Sequence, residues 1–282
     1  MIHQQPGLET YEVSTWRVLD TGWQDGATNM AIDEAILEGV ARGSSPPTLR
    51  FYGWQPACLS LGYAQPWSVV DLEACRERGW DVVRRTTGGR AILHVDELTY
   101  SVCLPESEPR VRGGILSSYQ RLSDALALGL QLMGLEPSRA VPEQRPGTQG
   151  GAACFDGPSN YEITVGRRKL VGSAQARKKG VVLQHGTLPL YGDITRIVQA
   201  LDVESDEQRS ALASGLRASA TTLESGLGRR MEYGTVTGFL CDGFAGALNL
   251  NLERGRLSDG EGARAAQIRA AKYASDDWTQ RL

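Results

Sequence analysis

The sequence lacks the features of several large classes of protein. It contains no run of about 18 apolar residues, the length that a helix needs to span a bilayer, and its first residues, MIHQQPGLETYEVS, show no apolar signal-peptide core. The net charge is −3, without the basic excess that is typical of nucleic-acid binders. We therefore expect a cytoplasmic protein that binds neither membranes nor nucleic acid.

Cysteine and histidine are also scarce, and their spacing excludes two further classes. The chain has 5 cysteines and 3 histidines. No two cysteines form a CxxC pair, and an odd, scattered set is typical of free thiols in a reducing compartment. No group has the spacing of metal ligands, so we predict no metal site. The cysteines stand at Cys58, Cys75, Cys103, Cys154 and Cys241.

The composition is that of a globular protein, with 41% hydrophobic residues in 282. Strand-like and helical segments alternate, and several strands are joined as hairpins, which predicts an α+β fold with a mixed β-sheet flanked by helices. From about residue 192 the pattern becomes mainly helical. We expect a catalytic domain over 15–250 and a helical extension over 251–282 that packs on the same domain. The main expected strands are 15–22, 48–54, 57–64, 97–105 and 181–188, and the main helices 29–40, 70–78, 117–133 and 259–273. Gly134 is expected to end the helix 117–133, and Ser258-x-x-Glu261 predicts a capping box at the start of the last helix.

A glycine pair joins two strand-like segments in the stretch RRTTGGR (84–90). Adjacent glycines permit a tight turn with positive φ, so that backbone N–H groups point at an anion or a carbonyl. The alternative is a plain β-hairpin turn. The sequence keeps both interpretations open.

Cys154 differs from the other cysteines in its surroundings. Four cysteines lie in strand-like or helical segments, where a small buried side chain is the simplest interpretation. Cys154 lies in a Pro- and Gly-rich segment (136–160), where no regular packing is implied. It is either a functional thiol or a packing residue.

Lys169 follows two arginines and precedes a run of apolar and small residues. One interpretation is a solvated turn lysine. The other is a lysine at the start of a strand, with its stem in the interior and its amine in a pocket. The small residues at 172–174 would leave room for a ligand beside the backbone. A cation near a cysteine stabilises the thiolate, which makes the thiol nucleophilic.

Taken in chain order, seven segments resemble the biotin/lipoate protein ligase family, and within it the octanoyltransferases of lipoate assembly. The resemblance covers roughly residues 15–280. The segments are NMAIDEAI (29–36), RFYGWQPACLSLGYAQ (50–65), RRTTGGRAILH (84–94), ELTYSV (97–102), CFDGPSNYEI (154–163), KLVGSAQARKKGVVLQHGTLPL (169–190) and KYASDDW (272–278).

The resemblance implies a largely antiparallel mixed sheet and a transfer of octanoyl to a lysine of a lipoyl domain. It matches Cys154 with the nucleophile and Lys169 with the family lysine. It implies no bound cofactor and, as donor, the octanoyl-phosphopantetheine of acyl carrier protein. The acceptors would be lipoyl domains of the glycine cleavage H protein or of the 2-oxoacid dehydrogenase E2, and we expect a monomer. We assign substrate binding to Arg85, Gly88, Gly89, His94, Gly172, Ser173 and Ala174.

Three alternatives remain at this point. An ATP-dependent lipoate ligase would need no cysteine, an amidotransferase would take octanoyl from another lipoyl domain, and a non-catalytic acyl-binding module would turn nothing over. One departure from the family pattern concerns His94, which is followed by Val95 before Asp96, where many members have the aspartate directly. An apolar acyl tunnel is expected at Leu59, Leu61, Tyr63, Ala91 and Val171. A basic rim for an acidic carrier protein is expected at Arg84, Arg85, Arg167, Arg168, Arg177, Lys178 and Lys179.

Overall fold

A computed structural model describes residues 11–139 and 162–282 of the chain. Cys154 and most of the Pro- and Gly-rich segment lie outside these ranges. Strands and helices alternate over the first half, and helices dominate after β10. The strands are β1 (Ser14–Gln24), β2 (Thr48–Trp54), β3 (Cys58–Leu61), β4 (Asp81–Arg84), β5 (Ile92–His94), β6 (Glu97–Pro105), β7 (Ser138–Arg139), β8 (Ile163–Val165), β9 (Arg168–Lys178), β10 (Val181–Pro189) and β11 (Leu250–Arg254).

The helices begin and end close to the predicted positions. The predicted helix 117–133 is α3, and Gly134 follows it with φ +100° as the expected C-terminal glycine. Three 3₁₀ turns (67–69, 109–111 and 194–200) and one π turn (269–273) connect the elements. The α-helices are α1 (Gly26–Ala41), α2 (Leu72–Glu77), α3 (Ile115–Leu132), α4 (Asp206–Ser219), α5 (Leu223–Leu227), α6 (Tyr233–Leu248), α7 (Asp259–Ile268) and α8 (Asp276–Thr279).

The larger sheet has the order β11-β1-β2-β6-β10-β9-β8-β7 within the described residues. β1 runs parallel to both of its neighbours, and every other pair is antiparallel. This arrangement confirms the predicted α+β class with a mixed, largely antiparallel sheet. β7 is a correction, because residues 138–139 lie in a segment that we expected to be irregular and instead pair with β8.

Helices cover the larger sheet on both faces. α3 buries Leu122, Leu126 and Leu130, whose spacing of four residues places them on one side of the helix, against α6 and one face of the sheet. α1 packs on the other face together with α7 and the π turn. The sheet is therefore buried on both sides at its centre, which explains why β2 and β10 are buried at every position.

The C-terminal part is continuous with the rest of the structure. β11 pairs with β1, so the expected boundary at residue 250 falls inside a strand of the central sheet. The predicted capping box at the start of α7 is confirmed: the Ser258 hydroxyl accepts from the backbone of Glu261, whose carboxylate accepts from the backbone of Ser258. No helix in the described part of the chain has both the length and the apolar character needed to cross a bilayer.

A smaller sheet has the order β4-β3-β5. β4 and β5 are consecutive in the chain, yet they do not pair with each other, because β3 lies between them. The hairpin interpretation of RRTTGGR is therefore wrong. The segment 85–91, called the glycine turn below, crosses the end of β3 to connect the two outer strands.

Candidate active site

Lys169 lies near the start of β9, and its side chain is buried. A turn with positive φ at Gly166 (55°) and Arg167 (66°) reverses the chain between β8 and β9. The Lys169 side chain is 1% exposed, and its Nζ lies 2.5 Å from Oε1 of Glu162, which is 4% exposed. The solvated interpretation of Lys169 is therefore wrong. A buried ammonium and a buried carboxylate form an ion pair eight residues after Cys154 (162 − 154 = 8).

The glycine turn is held from inside by Arg85. The guanidinium donates to the carbonyls of Gly88 and Arg90 and to the backbone carbonyl of Ser60 on β3. Gly89 has φ +94°, a conformation that favours glycine. Arg85 is 3% exposed, so it acts on the turn from the interior.

The glycine turn contacts residues 62–63, which follow β3. The N–H of Tyr63 donates to the carbonyl of Thr87 at 2.8 Å, and a Cβ at Gly62 would lie 1.8 Å from the Gly89 oxygen. Among the described residues, the N–H groups of Gly88 and Gly89 donate no hydrogen bond. These two donors therefore have hydrogen-bonding capacity left for a ligand.

His94 is buried and hydrogen-bonded at both ring nitrogens. Its Nε2 lies 2.7 Å from the Ser60 hydroxyl and its Nδ1 lies 2.7 Å from Oε1 of Glu97. The ring stacks on Trp54 with centroids 3.9 Å apart. Because an ionised carboxylate only accepts, we assign the ring proton to Nδ1, and Nε2 accepts from Ser60. The carboxylate that contacts His94 is therefore that of Glu97.

Asp96 has a different role. Its carboxylate pairs with Arg196 at 2.7 Å on a partly exposed surface, and its backbone has φ +52°. The carbonyl of Asp96 accepts from the N–H groups of Leu190 and Tyr191. Asp96 fixes the connection between β5 and β6 and does not contact His94.

His185 is the second histidine beside the glycine turn. Its Nε2 lies 2.6 Å from the Thr87 hydroxyl, and its Nδ1 faces Asp33 at 3.5 Å. Burial lowers the pKa of His185, although the Asp33 carboxylate opposes this shift. His185 is thus neutral near pH 7, and it accepts from Thr87.

Asp33 is the centre of a buried polar cluster beneath the turn. It pairs with Arg50 at 2.6 Å and accepts from the hydroxyls of Tyr52 and Ser101. Burial opposes the charge, but the Arg50 guanidinium, His185 and the Ser101 hydroxyl outweigh it and lower the pKa of Asp33 to about 2. The cluster places a permanent charge pair between α1 and the sheet.

The predicted binding residues on β9 divide between two faces. Gly172 pairs with Thr187 and Ala174 pairs with His185. Both therefore lie on the face of the sheet that carries the side chains of His185 and Thr187. The Ser173 hydroxyl instead lies 2.8 Å from the Tyr100 hydroxyl, on the face toward α3 and α6. The structure thus brings Gly172 and Ala174 to the glycine-turn side, together with Arg85, Gly88, Gly89 and His94.

The expected acyl-tunnel residues also separate. Leu59, Leu61 and Ala91 share one apolar cluster, whereas Val171 belongs to the cluster beneath α3 and α6. Tyr63 is 47% exposed and packs against Trp278 and Arg281. Within the described part of the chain, these five residues therefore do not share one apolar cluster.

The expected basic rim is wrong for two of its members, because Arg84 and Arg85 are buried and donate to backbone carbonyls. Arg177 is half-buried and donates to the carbonyl of Val111. The exposed members are Arg167, Arg168, Lys178 and Lys179. Among residues 11–139 and 162–282, no group of three or more His, Cys, Asp or Glu side chains is placed to hold a metal ion.

Reasoning from the sequence missed the acidic partners of the site. Glu97, Glu162 and Asp33 each neutralise or orient a basic side chain, but each stands in a strand or helix pattern without a local motif. Thr187 was missed for the same reason. A signal was available for Glu97 alone, since it follows His94 by three residues and is polar at the start of an apolar strand.

Comparison with known proteins agrees with this geometry. The family model described as the lipoyl protein ligase A/B catalytic domain matches residues 25–245. The chain therefore belongs to the lipoyl protein ligase A/B catalytic domain family. The resemblance inferred from the sequence is confirmed.

The curated relatives are more specific. The chain is 48% identical over 274 residues to an octanoyltransferase LipM from Moorella thermoacetica, which covers 95% of this chain and 98% of that protein. It is 43% identical to an octanoyltransferase LipM from Kyrpidia tusciae, over 95% of this chain and 100% of that protein.

Solved structures confirm the fold. A bi-partite lipoate protein ligase from Thermoplasma acidophilum superposes with a TM-score of 0.78 and 23% identity, covering 94% of this chain and 96% of that chain. A lipoate-protein ligase A bound with ATP gives a TM-score of 0.75 and 24% identity, covering 95% of this chain and 99% of that chain.

Proposed function

We propose that this protein transfers octanoyl from acyl carrier protein to the lysine of a lipoyl domain, through a thioester on Cys154. The observation that carries the proposal is the near-full-length likeness to octanoyltransferases, at 48% identity over 95% of the chain. The buried Lys169–Glu162 pair supports it, because a desolvated amine shortly after a candidate nucleophile is a typical proton-transfer group.

In the first half-reaction, the Cys154 thiolate attacks the carbonyl of the octanoyl thioester. A carbon–sulfur bond to Cys154 forms, and the bond to the phosphopantetheine sulfur breaks. That sulfur leaves as a thiolate and takes the proton of the Lys169 ammonium, which leaves Lys169 neutral for the second half-reaction. One thioester replaces another, so this step needs no ATP. The Lys169 ammonium favours the thiolate of Cys154, which is otherwise a minor species near neutral pH.

In the second half-reaction, the lysine amine of the lipoyl domain attacks the acyl-enzyme. A carbon–nitrogen bond forms, the bond to the Cys154 sulfur breaks, and the attacking amine loses a proton. Neutral Lys169 accepts that proton, and Glu162 stabilises the ammonium that results. The product amide is more stable than the thioester, which drives the transfer.

The tetrahedral oxyanion of each step is assigned to the glycine turn. Two backbone segments, Gly88–Gly89 and Gly172–Ser173, are candidates for the N–H donors. Gly172 and Ser173 lie in the ladder between β9 and β10. Gly88 and Gly89 have N–H groups that donate to no described residue, which favours the turn.

The partners follow from this chemistry. The donor is the octanoyl-phosphopantetheine of acyl carrier protein, and the acceptors are lipoyl domains of the glycine cleavage H protein or of an E2 subunit. The exposed basic residues lie at opposite ends of β9, and Lys178 and Lys179 pair there with Glu34 and Glu38. We therefore assign the attraction of an acidic carrier to Arg167 and Arg168, at the end of β9 that carries Lys169. Cytoplasmic location and a monomeric state remain predictions.

The decisive experiment combines purified protein with octanoyl-acyl carrier protein, without ATP, followed by mass spectrometry. We expect an added octanoyl mass on the peptide with Cys154, and its loss on addition of a lipoyl domain. Cys154→Ala should abolish the adduct, whereas the matched control Cys241→Ala, a half-buried cysteine on α6, should retain it. An adduct that survives Cys154→Ala would refute the thioester mechanism.

The same preparation separates the alternatives. ATP-dependent attachment of free lipoate by the Cys154→Ala variant would identify a ligase. Octanoyl taken from an octanoylated lipoyl domain, but not from the carrier protein, would identify an amidotransferase. Binding of the acyl chain without turnover would identify an acyl-binding module.

A further inference from the structure

We propose that two histidine–carboxylate pairs tether the glycine turn to β10, with Thr87 and Thr187 as the terminal contacts. The consequence for catalysis rests on the proposed function, since it assumes that the N–H groups of Gly88 and Gly89 bind the oxyanion. The tethers themselves rest only on the contacts between described residues. Nothing in the transfer chemistry requires any of these side chains to react.

The first tether is direct. The Thr87 hydroxyl donates to Nε2 of His185 at 2.6 Å, and His185 faces Asp33 through Nδ1. Asp33 is fixed by Arg50 and by two hydroxyls. His185 is therefore held in one ring orientation and one tautomer by a carboxylate that is itself immobile.

The second tether runs through four side chains. Arg85 donates to the carbonyls of Gly88 and Arg90, and also to the Ser60 hydroxyl at 3.2 Å. Ser60 donates to His94, and His94 donates to Glu97. The chain of hydrogen bonds links the glycine turn to the first residue of β6.

Glu97 carries the second tether from the smaller sheet to the larger one. Its carboxylate accepts from His94 on β5, from Thr99 on β6 and from Thr187 on β10. Every donor in this series of hydrogen bonds has an acceptor, so the direction of each hydrogen bond is fixed. Thr187 stands two residues after His185 on the same face, opposite Gly172.

The two tethers therefore meet β10 at neighbouring positions of one face. Together they fix the distance and the orientation of the turn relative to β10, since one contact alone would leave the turn free to rotate. We assign Glu97, Asp33, Thr87 and Thr187 as positioning residues for the N–H groups of Gly88 and Gly89. A displacement of about 1 Å at such a site lowers a rate by up to about 10²-fold.

The threonine at the end of each tether allows a pair of matched variants. Thr→Val keeps the shape and removes the hydroxyl, and Thr→Ser keeps the hydroxyl. We expect Thr187→Val and Thr87→Val each to lower kcat about 10-fold with KM for the lipoyl domain unchanged, and the Ser variants to recover most of that rate. The control Asp96→Asn, beside Glu97 but paired with Arg196, should leave kcat unchanged.

Hydrogen–deuterium exchange tests the tethers without any turnover. In the Val variants the amides of Tyr63 and Arg85, which donate to the carbonyls of Thr87 and Leu61 at the glycine turn, should exchange about 10-fold faster than in the wild type, and in the Ser variants at nearly the wild-type rate. Should a Val variant fail to fold, Glu97→Gln, which keeps the volume, gives the same readout. Equal exchange and equal kcat in Val and Ser variants would overturn the proposal.

The two proposals fail in different ways. Wild-type protein that transfers no octanoyl, but shows the expected exchange pattern, would refute the proposed function and leave the tethers intact. Normal transfer with an exchange pattern insensitive to Thr87 and Thr187 would refute the tethers alone. A uniform loss of melting temperature, with kcat per folded enzyme unchanged, would also refute them, since it indicates a structural role only.

Discussion

The buried ion pair between Lys169 and Glu162 makes stability and catalysis separable by mutation. Lys169→Met keeps the length of the side chain and removes the ammonium. The carboxylate of Glu162, 4% exposed and 2.5 Å from Nζ, then loses the cation that neutralises it. Glu162→Gln makes the reciprocal change, and the double variant removes both charges.

The expected loss of unfolding free energy follows from the burial of both Lys169 and Glu162. Removing one partner of a buried pair typically destabilises a protein by about 3–5 kcal/mol, whereas removing both charges is often nearly neutral. We expect each single variant to lose about 3–5 kcal/mol of unfolding free energy, and the double variant to recover most of it. Octanoyl transfer should stay at least about 10²-fold below wild type in Lys169→Met and in the double variant, because the proton transfer that we propose for Lys169 is gone in both.

Urea titrations followed by circular dichroism measure the stabilities, and a mass-spectrometric assay of octanoylated lipoyl domain measures the rate. Lys178→Met is the matched control, since Lys178 is half-exposed and lies 3.7 Å from Glu34, so its loss should change stability by less than about 1 kcal/mol. A double variant that regains wild-type transfer would refute the catalytic role of Lys169. Single variants as stable as wild type would refute the buried pair.

Three further outcomes follow from the polar cluster, the turn and the last long helix. The pKa of Asp33, lowered to about 2, implies that about 2 kcal/mol of stability is present above pH 4 and is lost as the pH falls toward 2, and urea titrations across pH 2–6 measure it. Gly62→Ala should lower transfer activity about 10-fold or more, because its Cβ would occupy the position of the Gly89 oxygen. Ser258→Ala should destabilise the protein by about 1 kcal/mol, because the hydroxyl caps α7 through the backbone of Glu261.

Each of these outcomes has its own control. Asp33→Asn should remove the corresponding part of the pH dependence, and an unchanged profile would contradict the assignment. Gly238→Ala on α6, where a Cβ meets no atom within 4 Å, should leave transfer unchanged. Ser258→Asp, which retains a capping oxygen, should stay within a few tenths of a kcal/mol of wild type.

The sequence predicted the fold class and most elements because their signals are local. The strands β1, β2, β6 and β10 and the helices α1 and α3 follow from apolar patterns, and Gly134 and Ser258 marked helix ends. The order of the smaller sheet could not be predicted. RRTTGGR has the composition of a hairpin turn, and only the pairing of β3 with both outer strands excludes that interpretation.

The residues proposed from the sequence are those whose type itself carries chemistry, such as Lys169, Arg85, His94 and the glycines. In the structure Gly172 and Ala174 lie on the glycine-turn side of the sheet with Arg85 and His94, Ser173 lies on the other face, and Lys169 is buried against Glu162. The acidic partners were missed because they depend on contacts between distant strands. Glu97 meets Thr187 across 90 residues (187 − 97 = 90), a separation that no local pattern records.

The close approach of Gly62 to the glycine turn has a consequence for how variation in related sequences is interpreted. The space that a side chain at 62 would occupy is filled by the peptide oxygen of Gly89. Substitution of Gly62 would therefore be selected against in every relative, no matter which acyl chain or carrier that relative uses. Glycine at 62 should mark the backbone crossing itself, and substrate preference should be sought at neighbouring positions whose side chains are free to differ in size.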